Sequence, residues 1–210
     1  MKFECVEAAH LLEKNWHSDG PVMVLPFTDR EMAVQAAELA CQRAGVDGLL
    51  LAVHDTARQG FIATMNQAFT ATQSPWIGYM AQDAFAGRQW LALAMQALER
   101  QGAAFLGFND GKWCGALASF GLANRAWAQT NYGGAFFCPS YSRHYADVEL
   151  TLVARQMKCY AYEPNSVLVE VDWQKDGQLV HAPDRAVFRE RVANGFDGKV
   201  SDVALLTMFS

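Results

Sequence analysis

Val22-Met23-Val24-Leu25-Pro26 is a short apolar run stopped by a proline, and Gly48-Leu49-Leu50-Leu51-Ala52-Val53 is a second such run. Between them, Arg30 to Ala44 carries Met32, Ala36, Leu39 and Ala40 at helical spacing, and Gly45 ends the segment. Runs that are apolar along their whole length read as strands buried on both faces; the segment between reads as a crossover helix. The alternation continues through a helix at Gly60 to Thr72, a strand at Trp76 to Met80, a helix at Gly87 to Gln101 and a strand at Ala103 to Gly107. Strands separated by helices of this length imply βαβ units, hence an α/β fold with a mainly parallel sheet and helices on both faces. Ligands of such sheets collect at the carboxyl ends of the strands.

The second half changes character. Asn109-Asp110-Gly111-Lys112 predicts a hairpin turn, with Trp113 to Phe120 as the next strand. A short helix at Ala123 to Thr130, a strand at Ala135 to Cys138, a helix carrying Asp147, strands at Met157 to Tyr162 and Val167 to Val171, and a charged helix at Ala182 to Asn194 complete the reading. The 210 residues form one expected domain, with residues 1–20 as a helical extension and residues 165–210 as a tail or flap.

Composition narrows the function. The formal net charge is −5, no long basic run occurs, and nucleic acid is not an expected partner. No run of about eighteen apolar residues exists to span a membrane. Met1 to Gly20 lacks the basic start and apolar stretch of a signal peptide. Cys5, Cys41, Cys114, Cys138 and Cys159 are scattered without a CxxC pair, which reads as reduced thiols in a cytoplasmic protein. GxGxxG, GxxxxGK[ST] and GxSxG motifs are absent, which argues against dinucleotide oxidoreductases, P-loop enzymes and α/β-hydrolases.

The strand ends instead offer Pro26-Phe27-Thr28-Asp29, His54-Asp55-Thr56 and Gln82-Asp83-Ala84. Each carries an acid that could cap a helix, but three in succession also suit a site that uses carboxylates. Farther on, His144-Tyr145-Ala146-Asp147-Val148-Glu149-Leu150 opens a helix. Asp147 sits near its positive end, where a carboxylate is stabilised, either as a cap or as a proton acceptor. Glu149, two residues on, points roughly 200° away.

The order of these motifs resembles nucleotide-diphospho-sugar glycosyltransferases of the A-type (GT-A) fold, close to glycosyltransferase family 2, over roughly Met23 to Asn165. The resemblance implies a three-layer α/β/α sandwich. In it, Pro26, Thr28, Asp55, Asn66, Gln82, Asp83 and Arg88 are the donor-binding candidates. Ala81-Gln82-Asp83 stands where the family has its metal-binding DxD, and Ala146-Asp147-Val148-Glu149-Leu150 stands where it has ED-x-[DE]-L. Asp147 is thereby the expected general base. Only the second DxD acid is present, so a divalent ion (Mg²⁺ or Mn²⁺) at Asp83, with His181 as a further ligand, is one option and metal independence the other. No organic cofactor is implied.

Asn109, Asp110, Lys112 and Trp113 join polar groups to an aromatic face, as sugar recognition requires, and with His144 they are the acceptor candidates. The expected function is inverting transfer of a sugar to a hydroxyl acceptor in polysaccharide or glycoconjugate synthesis. The alternative is a non-catalytic relative that binds a nucleotide-sugar or a glycan. The short chain leaves little room for an acceptor domain, so a homo-oligomer interface or a partner protein is expected to complete the acceptor site.

Overall fold

A computed structural model describes residues 1–171 and 181–209. Strand β1 (Lys2–Glu7) leads through a 3₁₀ turn (Ala8–Glu13) and the two-residue β2 (Trp16–His17) into β3 (Val22–Phe27). There follow α1 (Arg30–Arg43), β4 (Leu49–His54), α2 (Phe61–Ala71), β5 (Thr72–Gln73), β6 (Trp76–Tyr79), β7 (Ala84–Ala86), α3 (Trp90–Gln101) and β8 (Phe105–Asn109). The second half holds β9 (Gly121–Asn124), α4 (Arg125–Gln129), α5 (Ala146–Gln156), β10 (Tyr160–Glu170) and α6 (Ala182–Ala193), then short helical turns.

Eight strands form one sheet in the order β1-β4-β3-β6-β9-β8-β10-β7, while β2 and β5 pair apart from it. Strands β1, β4, β3 and β6 are parallel neighbours; β9 enters antiparallel between β6 and β8, and β8 and β10 are again parallel. Side chains alternate between two cores, as the pleat requires. Val22 and Val24 join Met65, Phe69, Leu150 and Val153 on one face, under α2 and α5. Met23, Leu25 and Phe27 join Ala37, Ala40, Trp90 and Leu98 on the other, under α1 and α3. The expected α/β/α sandwich is therefore present.

Four expectations are corrected. Residues 1–20 are not a helical extension: Lys2–Glu7 lies parallel beside β4, Lys2 opposite Leu49 through Glu7 opposite His54. Trp113 to Phe120 is not a strand. Asp110 accepts the backbone N–H groups of Lys112 and Trp113, and Arg155 donates to the carbonyls of Gly115 and Ala116. Side chains thus satisfy a backbone that a ladder would otherwise have claimed. Ala135 to Cys138 is likewise no strand, because the Asn66 amide takes the place of a neighbouring strand. It accepts from Phe136 N and Phe137 N at 3.1 and 2.8 Å and donates to Phe137 O at 3.1 Å. The two late strands are one, β10, with a register shift between Tyr162 and Val167 where Pro164 interrupts the ladder.

Gly78 sits in β6 between β3 and β9, where a Cβ would lie 2.6 Å from Gly121 O and 2.5 Å from Met23 Sδ. Gly78→Ala is expected to cost about 1–3 kcal/mol through overpacking, read as a lowered urea midpoint at unchanged slope.

Candidate functional site

The carboxyl ends of β3, β4, β6 and β8 share one edge of the sheet, and the acids expected there have different occupations. Asp29 caps α1, its Oδ1 accepting from Met32 N at 3.1 Å. Asp55 is buried, and its two oxygens accept from Gln59 N at 2.9 Å and Gly60 N at 2.8 Å. These bonds hold the loop entering α2, where Gly60 has φ +100°, a conformation that favours glycine. Gln82 is turned back onto the protein, its Oε1 accepting from Thr28 N at 2.8 Å and Asp29 N at 3.0 Å. Pro26 is buried within β3, and Phe27 stacks on His54 at 4.7 Å. Buried Asp83 lines a groove of about 520 Å³ with Met32, Gln35, Leu39, Phe85 and Val171.

Asp110 and Asp147 come together from opposite directions. Asp110 follows β8 and is buried, taking the two loop amides already described and the Ser119 hydroxyl. Asp147 stands in the first turn of α5 and is half-buried. The segment between them is stitched to both. Thr151 Oγ1 donates to Asp147 O at 2.7 Å and accepts from Ala118 N at 3.2 Å, and the buried Tyr79 hydroxyl donates to Ala118 O at 2.5 Å. Asp147, Thr151 and Arg155 are spaced i, i+4, i+8, so one face of α5 holds the 110–119 loop.

Burial pushes the Asp147 carboxyl up to about 6; the N–H groups of Val148 and Asp147 pull it down, and the negative charge of Asp110 adds to the rise. Burial likewise keeps Tyr79 and Tyr160 protonated. A carboxylate with this environment is ionised at neutral pH yet basic enough to accept a proton.

Glu149 belongs to the other face of α5. It is fully buried and receives Arg191 Nε at 2.6 Å and Nη2 at 2.7 Å, with the Tyr141 hydroxyl at 2.8 Å. Asp184, from the first turn of α6, is 1% exposed and accepts from Ser142 N, Arg143 N and His144 N, just upstream of α5, at 3.0, 2.7 and 2.9 Å. Although burial opposes its charge, these amides and His181 hold its carboxyl below the usual range.

Several candidates have structural work instead. Asn66 pins residues 136–137, as above. Both ends of Asn109 are engaged, Nδ2 with Pro164 O at 2.7 Å and Oδ1 with Gly111 N at 3.1 Å. Arg88 is exposed beside Gln89, which packs on Gly45 past the C-terminal end of α1, the opposite end from Thr28 and Asp29. His144 is exposed, and its Nδ1 accepts from His181 N at 3.3 Å. Lys112 lies 5.8 Å over the ring of Trp113, which is part-exposed and meets Phe209 edge-on at 6.1 Å. Asp172 and Asp176, within the expected flap of residues 165–210, lie outside the described residues.

A resident divalent ion does not fit the described donor set. One acid stands in place of two, and the Gln82 carbonyl is committed to backbone amides. His181 faces Asp184, its Nδ1 3.3 Å from Oδ2. No group of three or more His, Cys, Asp or Glu among the described residues is arranged to share a metal. No described helix is long and apolar enough to cross a membrane.

Sequence reasoning placed Asp184 in the flap or in solvent, whereas it is buried on the amides of residues 142–144, and it passed over Phe188 and Arg191. Their i, i+4, i+7 spacing was the available signal, together with the solitary Glu149 in an apolar run.

No protein-family model matches the sequence, and no curated protein sequence matches it. Solved structures do. Residues 1–349 of S. aureus TarS align with TM-score 0.64 and 11% identity over 90% of this chain and 70% of that one. A Drosophila beta-1,4-galactosyltransferase 7 mutant in complex with manganese, UDP-Gal and xylobiose aligns with TM-score 0.57 and 12% identity over 80% and 79%. Glucosyl-3-phosphoglycerate synthase from Mycobacterium tuberculosis, in complex with Mg²⁺ and UDP, aligns with TM-score 0.53 and 12% identity over 94% and 85%. The fold of this chain is the GT-A-like fold of nucleotide-sugar transferases.

The raised Asp147 carboxyl has a consequence for stability. Its proton is held more tightly in the folded chain than in the unfolded one, so its stabilising contribution is complete below the ordinary carboxylate range. That contribution is lost as pH rises through about 6. Asp147→Asn is therefore expected to stabilise the protein at pH 8, by on the order of 2 kcal/mol, and to leave it nearly unchanged at pH 4, measured by urea unfolding at both values.

Proposed function

We propose that this chain is an inverting glycosyltransferase that moves a sugar from a nucleotide-diphospho-sugar to a hydroxyl acceptor, with Asp147 as general base. The observation carrying this reading is the half-buried Asp147 carboxylate, raised to about 6 beside buried Asp110 at the ligand-binding edge of a GT-A-like sheet. In the proposed reaction the acceptor hydroxyl gives its proton to Asp147 as its oxygen attacks the anomeric carbon. The new C–O bond forms on the face opposite the leaving group. The bond from that carbon to the diphosphate oxygen breaks with its electron pair, so a nucleoside diphosphate departs and the configuration inverts. Trp113, with Lys112 above it, supplies a face on which an acceptor ring stacks. The donor's nucleotide is held near Thr28, Asp55 and Asp83, and saccharide or glycoconjugate assembly is the setting we assign.

A second reading, a non-catalytic binder of nucleotide-sugars or glycans, draws on one observation: Gln82 and Asp55 spend their side chains on backbone amides rather than on open space.

Two measurements separate these readings. UDP and GDP, each with and without Mn²⁺, are expected to raise the melting temperature under either one; no shift with any of them counts against both. In a pool of UDP-glucose, UDP-galactose, UDP-N-acetylglucosamine and GDP-mannose, the parent is expected to release nucleotide diphosphate and Asp147→Asn to lose about 10²–10⁴-fold of that rate. The parent's kcat/KM should fall tenfold per pH unit below an apparent pKa near 6. An Asp147→Asn protein as active as the parent rejects the base assignment.

A further inference from the structure

Helix α6 meets the chain ahead of Asp147 one residue after another. Asp184, Phe188 and Arg191 are spaced i, i+4, i+7 and so lie along a single face. Asp184 accepts the three consecutive amides of Ser142, Arg143 and His144. Phe188, 2% exposed, stacks on Tyr145 with ring centroids 4.5 Å apart and planes 18° from parallel. Arg191 closes a two-pronged ion pair on Glu149 and reaches Asp197 with the same guanidinium. Ala146, Asp147 and Val148, the first turn of α5, make no side-chain hydrogen bond, ion pair or ring contact with α6 among the described residues.

Tyr145 has φ +71°, a left-handed backbone that is uncommon for a bulky residue. Such a conformation costs of order 1–3 kcal/mol and persists only where surrounding contacts over-determine it. The contacts here come from α6: amides held before the residue, a ring stacked on it, and an ion pair after it. The left-handed residue reverses the chain immediately before α5, so its conformation sets the direction in which that helix starts.

We propose that α6 is a positioning clasp, in which Asp184 and Phe188 hold Tyr145 in its left-handed conformation and thereby orient Asp147 toward Asp110 and the acceptor. Asp184, Phe188 and Tyr145 are positioning residues and touch no reacting atom. The inference rests on Asp147 being the base. The division of labour has a chemical logic, because a base that must stay half-open to an acceptor cannot be buried under its own fixing contacts. Those contacts are instead made by its neighbours on both sides.

The test uses the full chain and three variants. Hydrogen exchange by mass spectrometry is followed over residues 142–149, with β3 and β4 as internal standards. Asp184→Asn keeps the side chain's size but removes the charge that the three amides share, and exchange of residues 142–145 should quicken at least tenfold with β3 and β4 unchanged. Nucleotide release from the same four-donor pool should lose about tenfold or more in kcat while KM for the donor stays within twofold, a split that general destabilisation would not give. Phe188→Leu keeps the apolar volume but removes the stacking ring, and should reproduce the kcat loss at smaller size, which covers an Asp184→Asn protein that fails to fold. Unaltered exchange at 142–145 in both variants, or unaltered kcat in a variant whose exchange has quickened, overturns the clasp. Full nucleotide release by Asp147→Asn overturns the base assignment instead, and the exchange measurement then still reports whether α6 holds this segment.

Discussion

The ion pair between Glu149 and Arg191 is the contact on which the arrangement of the second half depends. Glu149 has no exposure to solvent, and a carboxylate in that position is tolerated only if its charge is matched and its lone pairs are filled. Arg191 does both, donating from two nitrogens, and the Tyr141 hydroxyl supplies a third bond. The guanidinium is held firmly protonated by these partners. With the pair in place α5 cannot rotate about its axis without burying an unmatched charge. Its opposite face, with Asp147, Thr151 and Arg155, is therefore fixed against the 110–119 loop.

That loop and the sheet edge illustrate how one residue type serves different ends. Asp29 and Asp55 satisfy the backbone where helices begin. Asp184 does the same for a loop, and Asp110 for a turn with a serine hydroxyl added. Asp147 sits in the first turn of α5, where burial raises its carboxyl. The acidity of Asp147 is set by the water its carboxylate loses, weighed against the N–H groups it receives.

The first half was legible because its strands are buried on both faces. Leu49 to Val53 has no polar residue to mark a face, so length and flanking glycines alone identify a parallel strand, and the structure agrees. The second half was harder for a physical reason: side chains take over the role of a neighbouring strand. Asn66 does so for residues 136–137 and Arg155 for residues 115–116, and both partners are distant in sequence, so no local pattern announces them. Edge strand β1 was missed because its alternation is only partial, with Lys2 placed toward solvent and Glu4 paired with both Lys2 and Lys14. At the site, position was readable and occupation was not. Acids at strand ends could be named from the sequence, whereas their being spent on backbone amides depends on loop geometry that only the folded chain reveals.

The contacts of α6 also order events in time. Residues 184, 188 and 191 leave the ribosome some forty residues after the segment they grip, when the sheet's first strands and both of its helical layers have already been made. Until they arrive, the Tyr145 backbone has every reason to relax and Glu149 has no counter-ion. A nascent chain can therefore be largely folded and still lack an oriented carboxylate at its edge. Orientation of the Asp147 carboxylate therefore follows the making of the sheet's first strands, and loss of α6 would disturb it before the sheet itself came apart.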